Sequence, residues 1–153
     1  MPRTLYFDLD GTIIHGDFGT VKPSLADGQL ESAIRAAGFE RLVCVANMCT
    51  IVTTLIEAGR EVDGHEMILG LSQGAFRDED WFRSSTTLIP DGSRRARYID
   101  FSGDWWWVDD RALFFLDREG LAHHAVQEGR RLMVPQPDGD GSDIISWLEG
   151  ARR

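Results

Sequence analysis

The chain has 153 residues, 42% of them hydrophobic and 27% charged, with a formal net charge of −9. That is one domain's worth of chain, at roughly 100–200 residues per domain, with an ordinary globular composition and enough core to fold without staples. Collagen-like, low-complexity and disordered classes are excluded, and no run approaches the ~18 apolar residues of a membrane span.

Charge narrows the partners. Proteins that grip phosphate backbones carry a basic face or stripe, and here the arginines are scattered apart from Arg94, Arg95 and Arg97. Nucleic acid is therefore disfavoured as the main partner. Acids stand near the N-terminus, where a signal peptide needs apolar residues, so the chain reads as cytoplasmic. Two cysteines, Cys44 and Cys49, make no disulfide framework and read as reduced and structural.

Taken in order, Leu5-Tyr6-Phe7 is a short buried strand that meets a loop at Asp8-Leu9-Asp10-Gly11-Thr12. Residues 13–22, with Gly16 and Gly19 in the middle, read as a small hairpin. Helical spacing over 26–37 ends at Gly38. Leu42–Ala46 is a second strand, and the next helix carries Ile51, Leu55 and Ile56 and stops at Gly59. Strand, helix, strand, helix is the pattern of an α/β domain with a parallel sheet.

Met67–Leu71 fits helix or strand, Asp78-Glu79-Asp80 reads as a helix start, and Pro90-Asp91-Gly92 as a turn leading into a short helix over 93–100. Trp105-Trp106-Trp107-Val108 reads as a strand buried on both faces, with a base-stacking platform as the functional alternative. Residues 111–129 look helical, 131–135 form a last strand, and 144–153 a closing helix. The whole chain reads as one domain, with room for a small helical insertion in 60–92.

Chemistry concentrates at two places. Asp8 and Asp10 flank the end of the first strand, Gly11 permits a sharp turn, and Thr12 can orient a nearby group. Asp109-Asp110 again follows an apolar strand. If those strands are parallel neighbours, four carboxylates meet at the sheet edge where α/β proteins bind ligands. Such a cluster needs a proton or a cation, and a hard divalent ion such as Mg²⁺ suits it. That combination fits metal-assisted phosphoryl transfer.

Tyr6-Phe7-Asp8-Leu9-Asp10-Gly11-Thr12-Ile13 resembles the first motif of the haloacid dehalogenase superfamily, and Val108-Asp109-Asp110 resembles its fourth. The resemblance implies a Rossmann-like domain with a parallel central sheet and a small phosphorylated substrate. It implies that Asp8 is the nucleophile and Asp10 the general acid and base. Asp109 would hold Mg²⁺ with Asp8 and the Asp10 main-chain carbonyl, and Asp110 would act around the metal or as a further ligand.

Two positions depart from the family. Asn47, with Thr50 three residues on, stands where a phosphate-binding Ser or Thr is usual. An Asn amide also donates, and helix capping is its bland alternative. The third-motif lysine is missing, since Lys22 lies in the hairpin, and Arg94 takes that place by spacing ahead of Arg95 and Arg97, so that Asn47, Arg94 and Thr12 are the expected phosphate contacts. With little chain for a cap, the site is open to large substrates or closed by a partner or oligomer.

A protein of this fold that binds a phosphorylated ligand or partner with little turnover is the alternative. A nucleic-acid end phosphatase is a second. Asp138, Asp140, Ser142 and Glu149 follow calcium-loop spacing, with Asp143 at the position that needs glycine. A turn capping the last helix is the simpler expectation there. His123 and His124 show no metal-site spacing, and His15, close to the acids in sequence, reads as a hairpin residue with substrate contact as the alternative.

Overall fold

The computed structural model describes residues 1–152. Five parallel strands form one sheet in the order β3-β2-β1-β4-β5. They are β1 (Arg3–Phe7), β2 (Arg41–Cys44), β3 (Thr86–Leu88), β4 (Asp104–Val108) and β5 (Leu132–Met133). The helices are α1 (Gln29–Ala36), α2 (Asn47–Glu57), α3 (Gly64–Leu71), α4 (Glu79–Ser85), α5 (Ala112–Arg118) and α6 (Ser142–Gly150). The protein is an α/β domain of Rossmann-like, three-layer architecture.

Alternation along the strands explains the layers. Trp106 packs against Phe39 and Trp147 of α6, whereas Trp105 turns the other way onto Phe101 and His124. Trp105 and Trp107 are buried and Trp106 is half-buried, its ring under the guanidiniums of Arg3 and Arg131. The tryptophan run is therefore core on both faces, and no base-stacking platform is available from it. Arg3 is buried with it and donates to the carbonyls of Ala37 and Ala151, tying β1 to the ends of α1 and α6.

Several elements differ from the sequence reading. The expected hairpin at 13–22 is present in minimal form, as an antiparallel Ile14–Val21 bridge with the His15 N–H donating to the Thr20 carbonyl and the Lys22 N–H to the Ile13 carbonyl. The 111–129 helix is two pieces: α5 ends before Gly120, whose φ of +74° breaks it, and residues 122–127 wind as a three-ten turn. β3, only three residues long, is a strand that the sequence pattern does not predict. Met67–Leu71 is helical, within α3, whose start is capped by the Asp63 carboxylate. Asp78 caps α4 in the same way.

The topology fixes where chemistry can occur. The chain runs β1, β2, β3 outward on one side, then returns to place β4 on the other side of β1. The carboxyl ends of β1 and β4 are thus the point where strand order reverses, the usual ligand crevice of such sheets.

Candidate active site

Strand register brings the acids together. Phe7 pairs with Val108, and the Asp8 N–H donates to the Val108 carbonyl. Asp8 and Asp109 are therefore neighbours across the sheet. Oxygens of Asp8, Asp109 and Asp110 lie within 4.8 Å of one another, the one such ligand-type cluster among the described residues. Asp8 and Asp109 are buried and Asp110 is half-buried.

The turn after β1 exists to let Asp110 in. Gly11 has φ +78°, and a Cβ there would sit 2.1 Å from Asp110 Oδ2. No other residue meets both demands. Thr12, expected among the phosphate contacts, is fully buried. Its hydroxyl lies 3.2 Å from Asp8 Oδ2 and 3.4 Å from Asp110 Oδ1, and it accepts the Asp110 N–H at 3.0 Å. Thr12 thus positions the two carboxylates.

Asp10 departs from expectation. It lines the same cavity, but its carboxylate accepts the Phe18 N–H at 3.0 Å and stands outside the cluster. Three carboxylates converge, not four. That bond holds the loop over the cavity mouth, where Asp17 (φ +47°) and Phe18 (φ +62°) adopt the left-handed conformation without being glycine.

The cation of the site is Arg95, not Arg94. Arg94 is exposed and faces a separate concavity with Arg97 and Arg118. Its backbone is non-helical (φ −128°, ψ 41°), and that kink turns the next side chain inward. Arg95 Nη1 lies 3.0 Å from Asp8 Oδ1 and 2.9 Å from Asp109 Oδ2. Its Nε donates to the Gly92 carbonyl at 2.8 Å, and Nη2 donates to Asn47 Oδ1 at 2.9 Å. The guanidinium also lies 4.1 Å over the Phe115 ring. A lysine could not serve four partners from one fork.

Asn47 opens α2 and lines the cavity. Because a guanidinium only donates, the amide oxygen must face Arg95. The NH₂ group is then left for the cavity, at the amino-terminal end of α2. Thr50 serves the scaffold instead. Its hydroxyl accepts the Gly92 N–H at 2.7 Å and so anchors the segment carrying Arg95. Gly92 is pressed against Ala46, where a Cβ would fall 2.3 Å from the carbonyl oxygen.

Lys22, far from the acids in sequence, is nonetheless beneath them. It is fully buried and its Nζ donates to the carbonyls of Gly11 and Gln136 at 3.0 and 3.1 Å. Burial lowers its pKa, opposed by Asp143 and Asp110. Sequence distance hid this role because the intervening hairpin folds back under the turn.

Electrostatically the cluster is under-neutralised: three carboxylates face one guanidinium, leaving two negative charges. Burial, then repulsion from Asp109, pushes the Asp8 carboxyl well above its ordinary value. Burial also raises Asp109, with Arg95 opposing. Burial works against the charge of Arg95, but Asp109 and Asp8 more than offset it.

A pH dependence follows. A carboxyl raised on folding holds its proton more tightly in the native state than in the unfolded one. Stability of the cation-free protein therefore falls as pH rises above the unfolded carboxylate value, about 4, and levels off beyond the folded value. The surface aspartates that fold lowers, such as Asp63 and Asp91, act below that window. Urea titrations across acidic to neutral pH check this as the difference between wild type and Asp8→Asn, which cancels the opposite contribution of His124. A flat difference contradicts it.

Two acids of the calcium-loop stretch, Asp140 and Asp143, are engaged by main-chain N–H groups. Asp140 Oδ1 accepts the Ser142 N–H, and the Asp143 oxygens accept from Gln136 and Ile144. These acids build the turn into α6, whose N-cap is Gly141. Cys44 and Cys49 are both buried and free, with Cys49 Sγ 3.3 Å from the Cys44 carbonyl.

The cavity enclosing the acids is small, about 200 Å³, and is lined by Asp8, Asp10, Asn47, Arg95, Asp110 and Arg111 among others. A larger groove of about 510 Å³ runs along the sheet from Thr4 and Asp104, at the strand starts, to Leu88 and Ile89 at the end of β3, but it holds no cluster of buried titratable groups. Comparison of the chain with family models, with curated proteins and with solved structures found no match. No helix among the described residues is long and apolar enough to cross a membrane. The functional reading therefore rests on the site's own geometry.

Proposed function

We propose that this protein is a divalent-cation-dependent phosphomonoester hydrolase that works through an aspartyl-phosphate on Asp8. The observation that carries the reading is the buried Asp8–Asp109–Asp110 cluster, held by Arg95 and Thr12, at the strand-order reversal of a parallel sheet. The resemblance of residues 6–13 and 108–110 to the haloacid dehalogenase motifs points the same way.

The donor set fits a hard cation: oxygens only, and two charges to offset. Mg²⁺ is the proposed ion, held by Asp8, Asp109 and Asp110 with the Asp10 main-chain carbonyl. When bound it would neutralise the charge that a phosphoryl group brings to an already acidic site. The rest is done by the chain. Asp8, oriented by Thr12 and Arg95, offers a carboxylate oxygen to phosphorus. The NH₂ of Asn47 and the remaining Nη2–H of Arg95 hold the phosphoryl oxygens. Asp10, at the cavity wall, gives a proton to the leaving oxygen and later takes one from water.

Asn47 is well suited to its place because its oxygen fixes Arg95 while its NH₂ faces the ligand. The departures from the family's second and third motifs are thus one coupled pair. A protein that binds a phosphorylated ligand with little turnover uses the same contacts. The test is hydrolysis of a generic aryl phosphate together with a panel of small phosphomonoesters, with and without Mg²⁺. Mg²⁺-dependent release of phosphate is the expected result. Mg²⁺-dependent ligand binding with no release from any panel member would favour the binding protein.

A further inference from the structure

One cation of the cavity is left unused by the scheme above. Arg111 stands at the mouth, immediately after the Asp109–Asp110 pair, and its side chain is exposed. No carboxylate lies within ion-pair distance of its guanidinium among the described residues; only its main-chain N–H is engaged, by Asp109 Oδ1 at 2.9 Å. In a chain of net charge −9, an arginine beside an acidic cluster but paired with none of it is notable.

Nor does it wave freely. The guanidinium lies 4.6 Å over the Phe114 ring and 5.3 Å from that of Phe115. Phe115 is the ring that Arg95 also covers, at 4.1 Å. Two guanidiniums thus flank one buried ring. The inner one is consumed by Asp8, Asp109 and Asn47. The outer one is held by stacking alone, which leaves its in-plane N–H donors open.

Elsewhere the cavity lining has the other sign: Asp10 and Asp17 belong to it, and Asp17 is exposed. An anionic group beyond the phosphate would be repelled there and attracted at Arg111. The small volume, about 200 Å³, limits the enclosed part of a ligand to a phosphoryl group and little more. Arg111 is at the right place to meet the first group outside it.

We infer that Arg111 is a specificity residue that selects phosphomonoesters carrying a second anionic group, a carboxylate or another phosphate, a short spacer away from the phosphoryl group. The inference rests on the phosphate-site reading of the Asp8 cavity. It assigns Arg111 to the substrate's remote end and not to the transferred phosphoryl group.

The test uses ligands that cannot be hydrolysed. Calorimetric titration of the Mg²⁺-loaded wild-type protein compares phosphonopropionate with propylphosphonate, which matches it without the carboxylate. Charge-assisted hydrogen bonds to one carboxylate predict roughly 10- to 100-fold tighter binding of phosphonopropionate. Arg111→Ala is expected to erase that difference while leaving propylphosphonate affinity unchanged, and Arg111→Lys to keep part of it. The side chain is exposed, so these variants are expected to fold, and matching melting curves verify it. Equal affinity of the two phosphonates for wild type overturns the inference and leaves the phosphate site standing. So does an Arg111→Ala variant that weakens both equally, because Arg111 would then grip the phosphoryl group itself. Failure of both phosphonates to bind overturns the phosphate site and the inference together.

Discussion

Arg95→Met is expected to remove about 3–5 kcal/mol of folding stability, the usual cost of stripping one partner from a buried ion pair. Arg95 is 1% exposed and stands between Asp8 and Asp109, themselves buried. Without it two carboxylates lose their only cation, Asn47 loses the donor that fixes its amide, and the Gly92 carbonyl loses its partner. The deficit should shrink at acidic pH, where the stranded carboxyls can protonate instead. Arg95→Lys should recover only part, since one ammonium cannot reach all four partners. Arg94→Ala, by contrast, should stay within about 0.5 kcal/mol of wild type, as exposed sites usually do. Urea denaturation of the four proteins reads these values. Equal effects at the two arginines would show that the inward assignment of Arg95 is wrong.

Asp8→Asn is expected to abolish hydrolysis, on the order of a thousandfold or more, as loss of a nucleophile does. The same change should keep or raise the stability of the cation-free protein. One of three mutually repelling carboxylates disappears, while Arg95 retains Asp109 and the amide oxygen can still accept from Thr12. Opposite signs for activity and stability are the signature of a site that holds strain for function. A variant that lost activity only because it unfolded would not show it. Steady-state kinetics and thermal melts on one preparation separate the two.

Much of this site could be read from the chain because its parts are local. Asp8, Asp109 and Asp110 each end a recognisable apolar strand, so parallel pairing alone brings them together. Gly11 announces the turn, and its steric role became visible only against Asp110. The choice among Arg94, Arg95 and Arg97 could not be made from spacing. These residues lie in a three-ten segment with a non-helical residue at Arg94, so no regular period assigns their directions.

Lys22 and Asp10 show the complementary limit. Each seemed placed by its distance along the chain, and each is redirected by a loop. The fold at 13–22 carries Lys22 beneath Gly11, and Phe18 draws Asp10 away from the cluster. β3 is not legible in the sequence because three edge residues, Thr86–Leu88, carry too little alternation. The split after α5 turned on Gly120, which reads as an ordinary interior residue until its φ is seen.

The most direct measurement is acid quenching of the wild-type protein during turnover of a phosphomonoester with Mg²⁺, followed by mass spectrometry of the peptide that contains Asp8. The account predicts a peptide heavier by one phosphoryl group, modified at Asp8 and absent without Mg²⁺ or in Asp8→Asn. Undiminished phosphate release by Asp8→Asn, with no modified peptide in wild type, would contradict it.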